Sequence, residues 1–153
     1  MTKELEQLQQ WVDASSRIVF FGGAGVSTAS GIPDFRGANG LWNQKYGRNL
    51  SPEEMVSASF FRRDPESFFA FYRDKLVYPD AKPNEAHAAL FRLEQAGKLT
   101  ALVTQNIDGL HRDAGNRLVY EIHGSVRENR CMDCSRLFGL DFILRSEGLP
   151  RCP

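Results

Sequence analysis

The sequence predicts an α/β fold built on a mainly parallel sheet. Three short apolar segments, at residues 18–21, 99–104 and 118–122, have the length and composition of buried strands. A helical pattern over residues 84–95 separates the first of these segments from the second. Strands that alternate with helices are typical of parallel sheets, so we expect the three strands to lie side by side in one direction.

Helices are predicted in three places outside these strands. The first spans about residues 2–14, where apolar side chains recur at helical spacing: Leu5, Leu8, Trp11 and Val12. Residues 51–78 also have a helical pattern with many aromatic side chains. Their first four residues supply an N-cap serine, a proline and two acids. The third helix, over residues 84–95, is expected to stop at Gly97.

Composition places the chain among globular proteins and argues against broad binding of polyanions. The 153 residues are 42% hydrophobic and 25% charged, which is enough chain for one domain with a buried core. The 19 basic and 19 acidic side chains cancel, so neither nucleic acid nor a membrane surface is an expected partner. The polar N-terminus does not have the pattern of a targeting segment, so we expect a cytoplasmic protein.

A glycine-rich segment, residues 22–31, follows the first strand directly. Gly23, Ala24 and Gly25 are small enough to let the backbone approach a pyrophosphate, and the N-terminus of a following helix would supply N–H donors. The segment departs from the dinucleotide-binding pattern Gly-x-Gly-x-x-Gly because Thr28 stands at the third glycine. Taken alone, it fits a tight strand-to-helix turn equally well.

The next segment, residues 32–50, is rich in Gly, Asn, Pro and Arg and is predicted to be a long functional loop. Asp34, Phe35 and Arg36 lie close to its start. Arg36 has the charge to pair with a phosphate, and Phe35 is able to cover a ring or a reactive carbon. The alternative is a surface turn with an ordinary ion pair.

Polar side chains follow the second and third strands at the point where each ends. Gln105, Asn106 and Asp108 suit ribose hydroxyls and a carboxamide, and ligands of open α/β sheets bind beyond the carboxyl ends of strands. A capped turn is the alternative, and it accounts for Asp108 but not for the whole cluster. His123 follows the third strand, where a histidine can act as a general base near neutral pH. The other two histidines are expected to be structural.

The cysteines have the spacing of a zinc site. Cys131 and Cys134 form a Cys-x-x-Cys pair, and Cys152 follows at the distance typical of a zinc ribbon. A fourth thiolate, at about position 155, would complete a structural tetrahedron. A redox pair and free thiols are the alternatives, and the pair lacks the surroundings of a thioredoxin-like motif. We therefore favour zinc.

Five sequence blocks together resemble the sirtuin family in its bacterial form. Their order and spacing over roughly residues 15–153 are far more specific than any block alone. The blocks are Gly23-Ala-Gly-Val-Ser27, Gly31-Ile-Pro-Asp-Phe-Arg-Gly37, Thr104-Gln-Asn-Ile-Asp108, His123-Gly124 and Cys131-x-x-Cys134. The resemblance implies a Rossmann-like core formed by residues 1–40 and 84–125. It also implies a small domain, formed by a helical insertion at 41–83 and the start of a zinc-binding module at 126–153.

The resemblance also implies an activity. NAD and an acyl-lysine would give nicotinamide, free lysine and O-acyl-ADP-ribose, with zinc in a structural role. His123 would be the base that deprotonates a ribose hydroxyl, with Asn106 also in the catalytic centre. The resemblance assigns NAD contacts to Ala24, Thr28, Phe35, Arg36, Gln105, Ile107, Asp108 and His123, and zinc ligation to Cys131, Cys134 and Cys152.

Two further expectations concern substrate choice and completeness. Residues 68–73 lack the Tyr-x-x-Arg spacing of a subgroup specialised for acidic acyl groups, so acetyl-lysine or a longer apolar acyl-lysine is expected. The family's remaining strands lie beyond residue 153, so the sheet is expected to be incomplete and the chain alone inactive and marginally folded. The alternatives are an NAD-dependent protein ADP-ribosyltransferase and a non-catalytic NAD-binding or zinc-ribbon interaction module.

Overall fold

The centre of the fold is a three-stranded parallel sheet, as predicted. A computed structural model describes the chain at residues 2–37, 40–43 and 50–153. The strands lie in the order β1, β2, β3, and each begins and ends within one residue of its predicted bounds. They are β1 (Ile18–Gly22), β2 (Leu99–Thr104) and β3 (Val119–Glu121).

The strand register brings the carboxyl ends of all three strands to one edge of the sheet. Gly22 pairs with Thr104, and Thr104 pairs in turn with Glu121. Leu102 of the central strand is fully buried, which contributes about 2 kcal/mol to folding. The loops that follow the strands therefore start side by side.

The first five helices that the structure describes lie in the three regions that the sequence predicts, and two further short helices lie outside those regions. In chain order they are α1 (Lys3–Ala14), α2 (Pro52–Met55), α3 (Ala58–Arg63), α4 (Pro65–Phe71), α5 (Glu85–Gln95), α6 (Leu110–Asp113) and α7 (Leu140–Arg145). A π-helical turn at Tyr72–Leu76 follows α4, and a hairpin of β4 (Asn129–Arg130) and β5 (Leu137–Phe138) precedes α7.

The glycine-rich segment after β1 forms a 3₁₀ helix, Ala24–Ser30. Its hydrogen bonds run over three residues, from the Val26 N–H to the Gly23 carbonyl and from the Gly31 N–H to the Thr28 carbonyl. β-Branched and hydroxyl side chains disfavour a regular α-helix in this stretch. A second 3₁₀ helix, Leu41–Asn43, lies in the predicted long loop; residues 38, 39 and 44–49 of that loop lie outside the described residues.

The aromatic segment at residues 51–78 is divided into short helices because it contains repeated start signals. Ser51, Ser57 and Asp64 each accept a hydrogen bond at a helix N-terminus. Pro52 and Pro65 occupy the first turn after two of these caps, where the missing N–H costs nothing.

Helix α5 packs against one face of the sheet. Leu90 belongs to a buried cluster with Leu99, Leu102 and Val119. On the opposite face Val19, Phe21 and Tyr120 are more than half exposed. Within the described part of the chain, no helix combines the length and apolarity that crossing a bilayer requires.

A second apolar core joins the helical insertion to the cysteine segment. Tyr72 and Val77 of the insertion pack with Val126 and Ile143 of the later segment. The Arg73 guanidinium strengthens this junction by donating to the Ile143 carbonyl at 3.0 Å and to the Gly148 carbonyl at 2.7 Å. The two regions that the sequence predicts separately therefore share one core, whereas the residue limits of the domains stay a prediction.

Candidate active site

Backbone hydrogen bonds hold the three loops after the strands together. The Gln105 N–H donates to the Gly22 carbonyl at 3.0 Å, and the Ile122 N–H donates to the Thr104 carbonyl at 3.1 Å. The glycine segment, the Gln-Asn-Ile-Asp segment and His123 thus begin at one edge of the sheet. Ligands of open α/β sheets bind at this edge.

A hydrogen-bond network around Ser27 joins the glycine segment to the end of β2. The Ser27 hydroxyl donates to Asp108 Oδ2 at 2.7 Å and accepts from Asn106 Nδ2 at 3.0 Å. Ser27 is fully buried and Asn106 is 9% exposed. The other oxygen of Asp108 accepts from the Leu110 N–H at 2.9 Å. The side chains of Asn106 and Asp108 are therefore held in place by the protein itself.

A cavity of about 880 Å³ lies above this network, within the size range of small-molecule sites. One side is polar and comes from the strand-end loops, and the other side is aromatic and comes from the helical insertion. The predicted site residues that line the cavity are Ala24, Phe35, Arg36, Gln105, Asn106, Ile107, Asp108 and His123. The aromatic side includes Phe61, Phe68, Phe69, Tyr72 and Tyr78.

Thr28 differs from the other predicted NAD-contacting residues. It is exposed, it does not belong to the described lining of the cavity, and its hydroxyl donates to the Gly25 carbonyl at 2.9 Å. The 3₁₀ helix turns this side chain back onto its own backbone. A contact between Thr28 and NAD stays a prediction.

The glycine turn comes close to the neighbouring strand end. A Cβ atom on Gly23 would lie 3.2 Å from Gln105 Oε1, closer than most real Cβ contacts. A Cβ atom on Gly22 would lie 2.6 Å from Cζ of Phe20, which is impossible without movement. Glycine at these two positions lets the turn pack closely against Phe20 and Gln105, and the next residue, Ala24, lines the cavity. This geometry fits a pyrophosphate.

His123 lies in the turn after β3, on the same side of the sheet as the glycine segment. Its side chain is exposed and lines the cavity together with Arg36 and Asp108. The next residue, Gly124, has φ +81°, and its N–H donates to the Glu121 carbonyl at 3.1 Å. This turn directs the chain away after β3 and leaves the imidazole accessible.

The two histidines expected to be structural, His87 and His111, are a buried pair beneath the site. Their ring centroids are 4.7 Å apart, and His87 Nδ1 accepts from the Asn84 N–H at 3.2 Å to cap α5. Burial lowers the pKa of both groups, that of His111 to about 4, with repulsion from His87 adding and attraction to Asp108 opposing. Both imidazoles are therefore neutral near pH 7.

The three cysteine sulfur atoms lie within 4.8 Å of one another. Sγ of Cys134 and Sγ of Cys152 are 3.6 Å apart, close to the edge of about 3.8 Å that a tetrahedron with Zn–S bonds of about 2.3 Å has. The backbone N–H groups of Cys134 and Asp133 donate towards Cys131 and lower the pKa of its thiol. This donor set and spacing fit a zinc ion.

A model of the Sir2 family matches residues 23–152, which include every block of the sirtuin resemblance. The chain belongs to the Sir2 family. Its curated Sir2 relatives include the NAD-dependent protein deacetylases of Clostridium perfringens (strain 13 / Type A) and Clostridium acetobutylicum. The first is 57% identical over 152 residues, which are 99% of this chain and 62% of the relative. The second is 53% identical over 150 residues, 97% of this chain and 61% of the relative. The chain thus spans about three fifths of their length.

Solved Sir2 structures have the same fold. One holds a deacetylated p53 peptide and 3'-O-acetyl ADP-ribose; it has a TM-score of 0.84 and 38% identity over 97% of this chain and 60% of that one. Another is a Sir2 homologue in complex with NAD, with a TM-score of 0.77 and 40% identity over 97% of this chain and 55% of that one. These matches confirm the predicted fold class for this Sir2 chain.

Sequence reasoning missed Ser27 and the aromatic side of the cavity. Ser27 stands within a glycine-rich block, and the local signal it offers is that a serine three residues after Ala24 is well placed to cap a turn. The aromatic residues fit a helical pattern, but periodicity alone does not show which ring faces a core and which faces a cavity. In this Sir2 chain three of the rings contact both: Phe68, Phe69 and Tyr72 line the cavity and also pack in the second core.

Proposed function

We propose that the full-length protein is an NAD-dependent protein-lysine deacylase that removes acetyl groups and consumes NAD as a substrate. The observation that carries this proposal is the hydrogen-bond network of the buried Ser27 and Asn106 with the half-buried Asp108, in the wall of a cavity that His123 also lines. The names of the curated relatives support the same activity, as does the acetyl ADP-ribose held by a Sir2 structure of 38% identity.

Most of the NAD contacts that the resemblance assigns suit the chemistry of the residues concerned. The open backbone at Ala24 and the charge of Arg36 suit the diphosphate, and the Gln105 amide suits a ribose hydroxyl. Ile107 and Asp108 suit the nicotinamide carboxamide, through the main chain and a carboxylate that already has a fixed orientation. Thr28 is the remaining proposed contact.

His123 is proposed as the general base. Its imidazole lies at the cavity surface and is free to accept a proton from a ribose hydroxyl after the acyl oxygen has attacked the anomeric carbon. Asn106 is proposed to orient the reacting groups, because its own amide is held by Ser27. The acyl oxygen is a weak nucleophile, so positioning by these side chains must carry much of the rate increase.

The aromatic side of the cavity is proposed to receive the acyl-lysine. Phe61, Phe68 and Phe69 offer an apolar surface to an acetyl or a longer apolar acyl group. Phe35 is proposed to shield the reactive carbon from water once nicotinamide has left. The expected protein partners are therefore acyl-lysine proteins or peptides.

Cys131, Cys134 and Cys152 are proposed to hold a structural zinc ion, which stabilises the hairpin of β4 and β5 without taking part in the chemistry. Reduced thiols at this spacing are in keeping with a cytoplasmic protein. We retain residues 1–40 and 84–125 as the proposed NAD-binding core. Residues 41–83 are the proposed helical insertion, and residues 126–153 the proposed start of the zinc module.

The test uses purified full-length protein, an acetyl-lysine peptide and NAD, with mass spectrometry of all products. The proposal expects free lysine peptide, nicotinamide and O-acetyl-ADP-ribose in equal amounts. An ADP-ribosylated peptide without O-acetyl-ADP-ribose would instead identify a transferase. NAD binding without release of nicotinamide would identify a non-catalytic module, and either outcome overturns the deacylase proposal.

A further inference from the structure

An ion pair between Arg127 and Asp113 joins the segment after His123 to helix α6. Nη1 of Arg127 donates to Oδ1 of Asp113 at 2.6 Å, and Nη2 donates to Oδ2 of the same carboxylate. Two parallel bonds between a guanidinium and a carboxylate fix geometry far better than a single contact. The Arg127 side chain is 44% exposed and that of Asp113 is 34% exposed, so the pair is only partly open to solvent.

The Arg127 side chain lies directly on the loop that carries Ile107 and Asp108. A Cβ atom on Gly109 would lie 2.9 Å from Cζ and 3.0 Å from Cδ of Arg127. Gly109 has φ +76°, a left-handed conformation that favours glycine. The guanidinium therefore covers the backbone of this loop at its turning point.

A backbone contact adds a second attachment next to the first. The Val126 N–H donates to the Ile107 carbonyl at 2.9 Å, and Val126 is buried in the second core. The 107–109 loop is thus held on one side by residues 126 and 127, while Ser27 holds Asp108 through its carboxylate. The pKa of Arg127 is raised, chiefly by the bond to Asp113, with Asp108 and Glu121 contributing through their charges.

We infer that Arg127, held by Asp113, is a positioning residue that fixes the 107–109 loop for recognition of the nicotinamide carboxamide. The inference rests on the proposed function, because it assumes that Ile107 and Asp108 bind this group. Arg127 itself does not line the large cavity as described. It acts through the loop backbone.

This role predicts a selective effect on ligand binding. NAD and free nicotinamide contain the carboxamide, whereas ADP-ribose does not. Loss of the two hydrogen bonds between Arg127 and Asp113 should weaken the binding of NAD and of nicotinamide, and leave the binding of ADP-ribose almost unchanged. A residue that merely stabilised the fold would either affect all three ligands or none.

The experiment measures the three ligands by calorimetry on full-length wild-type protein and on Arg127→Met, Arg127→Lys and Asp113→Asn variants. Arg127→Met should raise the Kd of NAD and of nicotinamide roughly tenfold, with ADP-ribose unchanged to within about twofold. Arg127→Lys keeps the charge but loses the fork, so it should recover only part of the affinity. A double variant with Arg127→Met and Asp113→Asn should bind NAD and nicotinamide almost as well as Arg127→Met alone, because both substitutions break the same ion pair.

Arg112→Met is the matched control, since Arg112 also belongs to α6 and pairs with Glu121 at 2.9 Å without covering the 107–109 loop. It should bind all three ligands as the wild type does. Equal affinities of wild type and Arg127→Met for NAD and nicotinamide would overturn the inference, and so would a parallel loss of ADP-ribose binding in Arg127→Met or Arg127→Lys. Absence of NAD binding to the wild type would instead refute the proposed function.

Discussion

Ser27 and Asp108 are 81 residues apart in the chain, and the hydroxyl of the first donates to the carboxylate of the second at 2.7 Å. This bond joins the glycine segment after β1 to the polar segment after β2. Asn106 completes the network by donating to the same hydroxyl at 3.0 Å. A single buried oxygen atom therefore connects two loops that line the same cavity.

Replacing Ser27 by alanine should destabilise the protein by about 1–3 kcal/mol, because it leaves the buried amide of Asn106 without its acceptor. Urea unfolding of the full-length protein measures the change. Thr28→Ala is the control from the same 3₁₀ helix. Its exposed hydroxyl bonds only to the local backbone, so its stability should stay within about 0.5 kcal/mol of the wild type. Equal stabilities for the two variants would contradict the role given to Ser27.

Replacing His123 by alanine should lower kcat by at least about 100-fold, the scale of general-base catalysis. Because the side chain is exposed, the melting temperature should not change. Steady-state deacetylation and thermal unfolding are measured on the same samples, with exposed Lys82→Ala as the control. A kcat close to the wild-type value would remove His123 from the proposed chemistry.

Stability should fall as the pH drops from about 6.5 towards about 4. Burial holds the pKa of His87 and His111 below the ordinary value of 6.5, that of His111 at about 4. In this interval the unfolded chain binds protons that the folded chain does not, so acid favours unfolding; each pKa unit corresponds to about 1.4 kcal/mol. The measurement is the free energy of unfolding between pH 4 and pH 7.

His111→Phe provides the control for this pH dependence. It places another ring next to Phe20, whose centroid lies 6.0 Å from that of His111. The free energy of unfolding of this variant should depend less steeply on pH between pH 4 and pH 6.5, because the contribution of His111 is gone. An unchanged slope would show that other groups, such as the carboxylates, govern the acid response.

Zinc removal should destabilise the hairpin of β4 and β5. Cys134→Ser should lower the zinc content of the purified full-length protein and reduce its stability by more than about 2 kcal/mol, because metal binding and folding are coupled. Metal analysis and thermal unfolding provide the two measurements. Met132→Ser changes an exposed neighbour in the same turn and should affect neither. Full zinc content in Cys134→Ser would rule out ligation by Cys134.

The sequence predicts the positions of the strands and their parallel arrangement well, because each strand is a short apolar segment whose end is marked by polar residues. Leu99–Thr104 is found at its predicted bounds for this reason. The sequence predicts side-chain partners poorly, because Ser27 and Asp108 become neighbours only through the parallel pairing of β1 with β2. The 3₁₀ form of Ala24–Ser30 was also missed, since it depends on competition between nearly equal local hydrogen bonds.

The second apolar core connects the cysteine segment to the cavity. Tyr72 contributes both to that core and to the aromatic side of the cavity, while Ile143 of the same core belongs to the cysteine segment. Oxidation of the thiols, or chelation of a metal bound to them, is therefore expected to disturb the aromatic side of the cavity through this shared core. A zinc ion that takes no part in the proposed chemistry would thus still affect the shape of the cavity, because Tyr72 and Ile143 share one core.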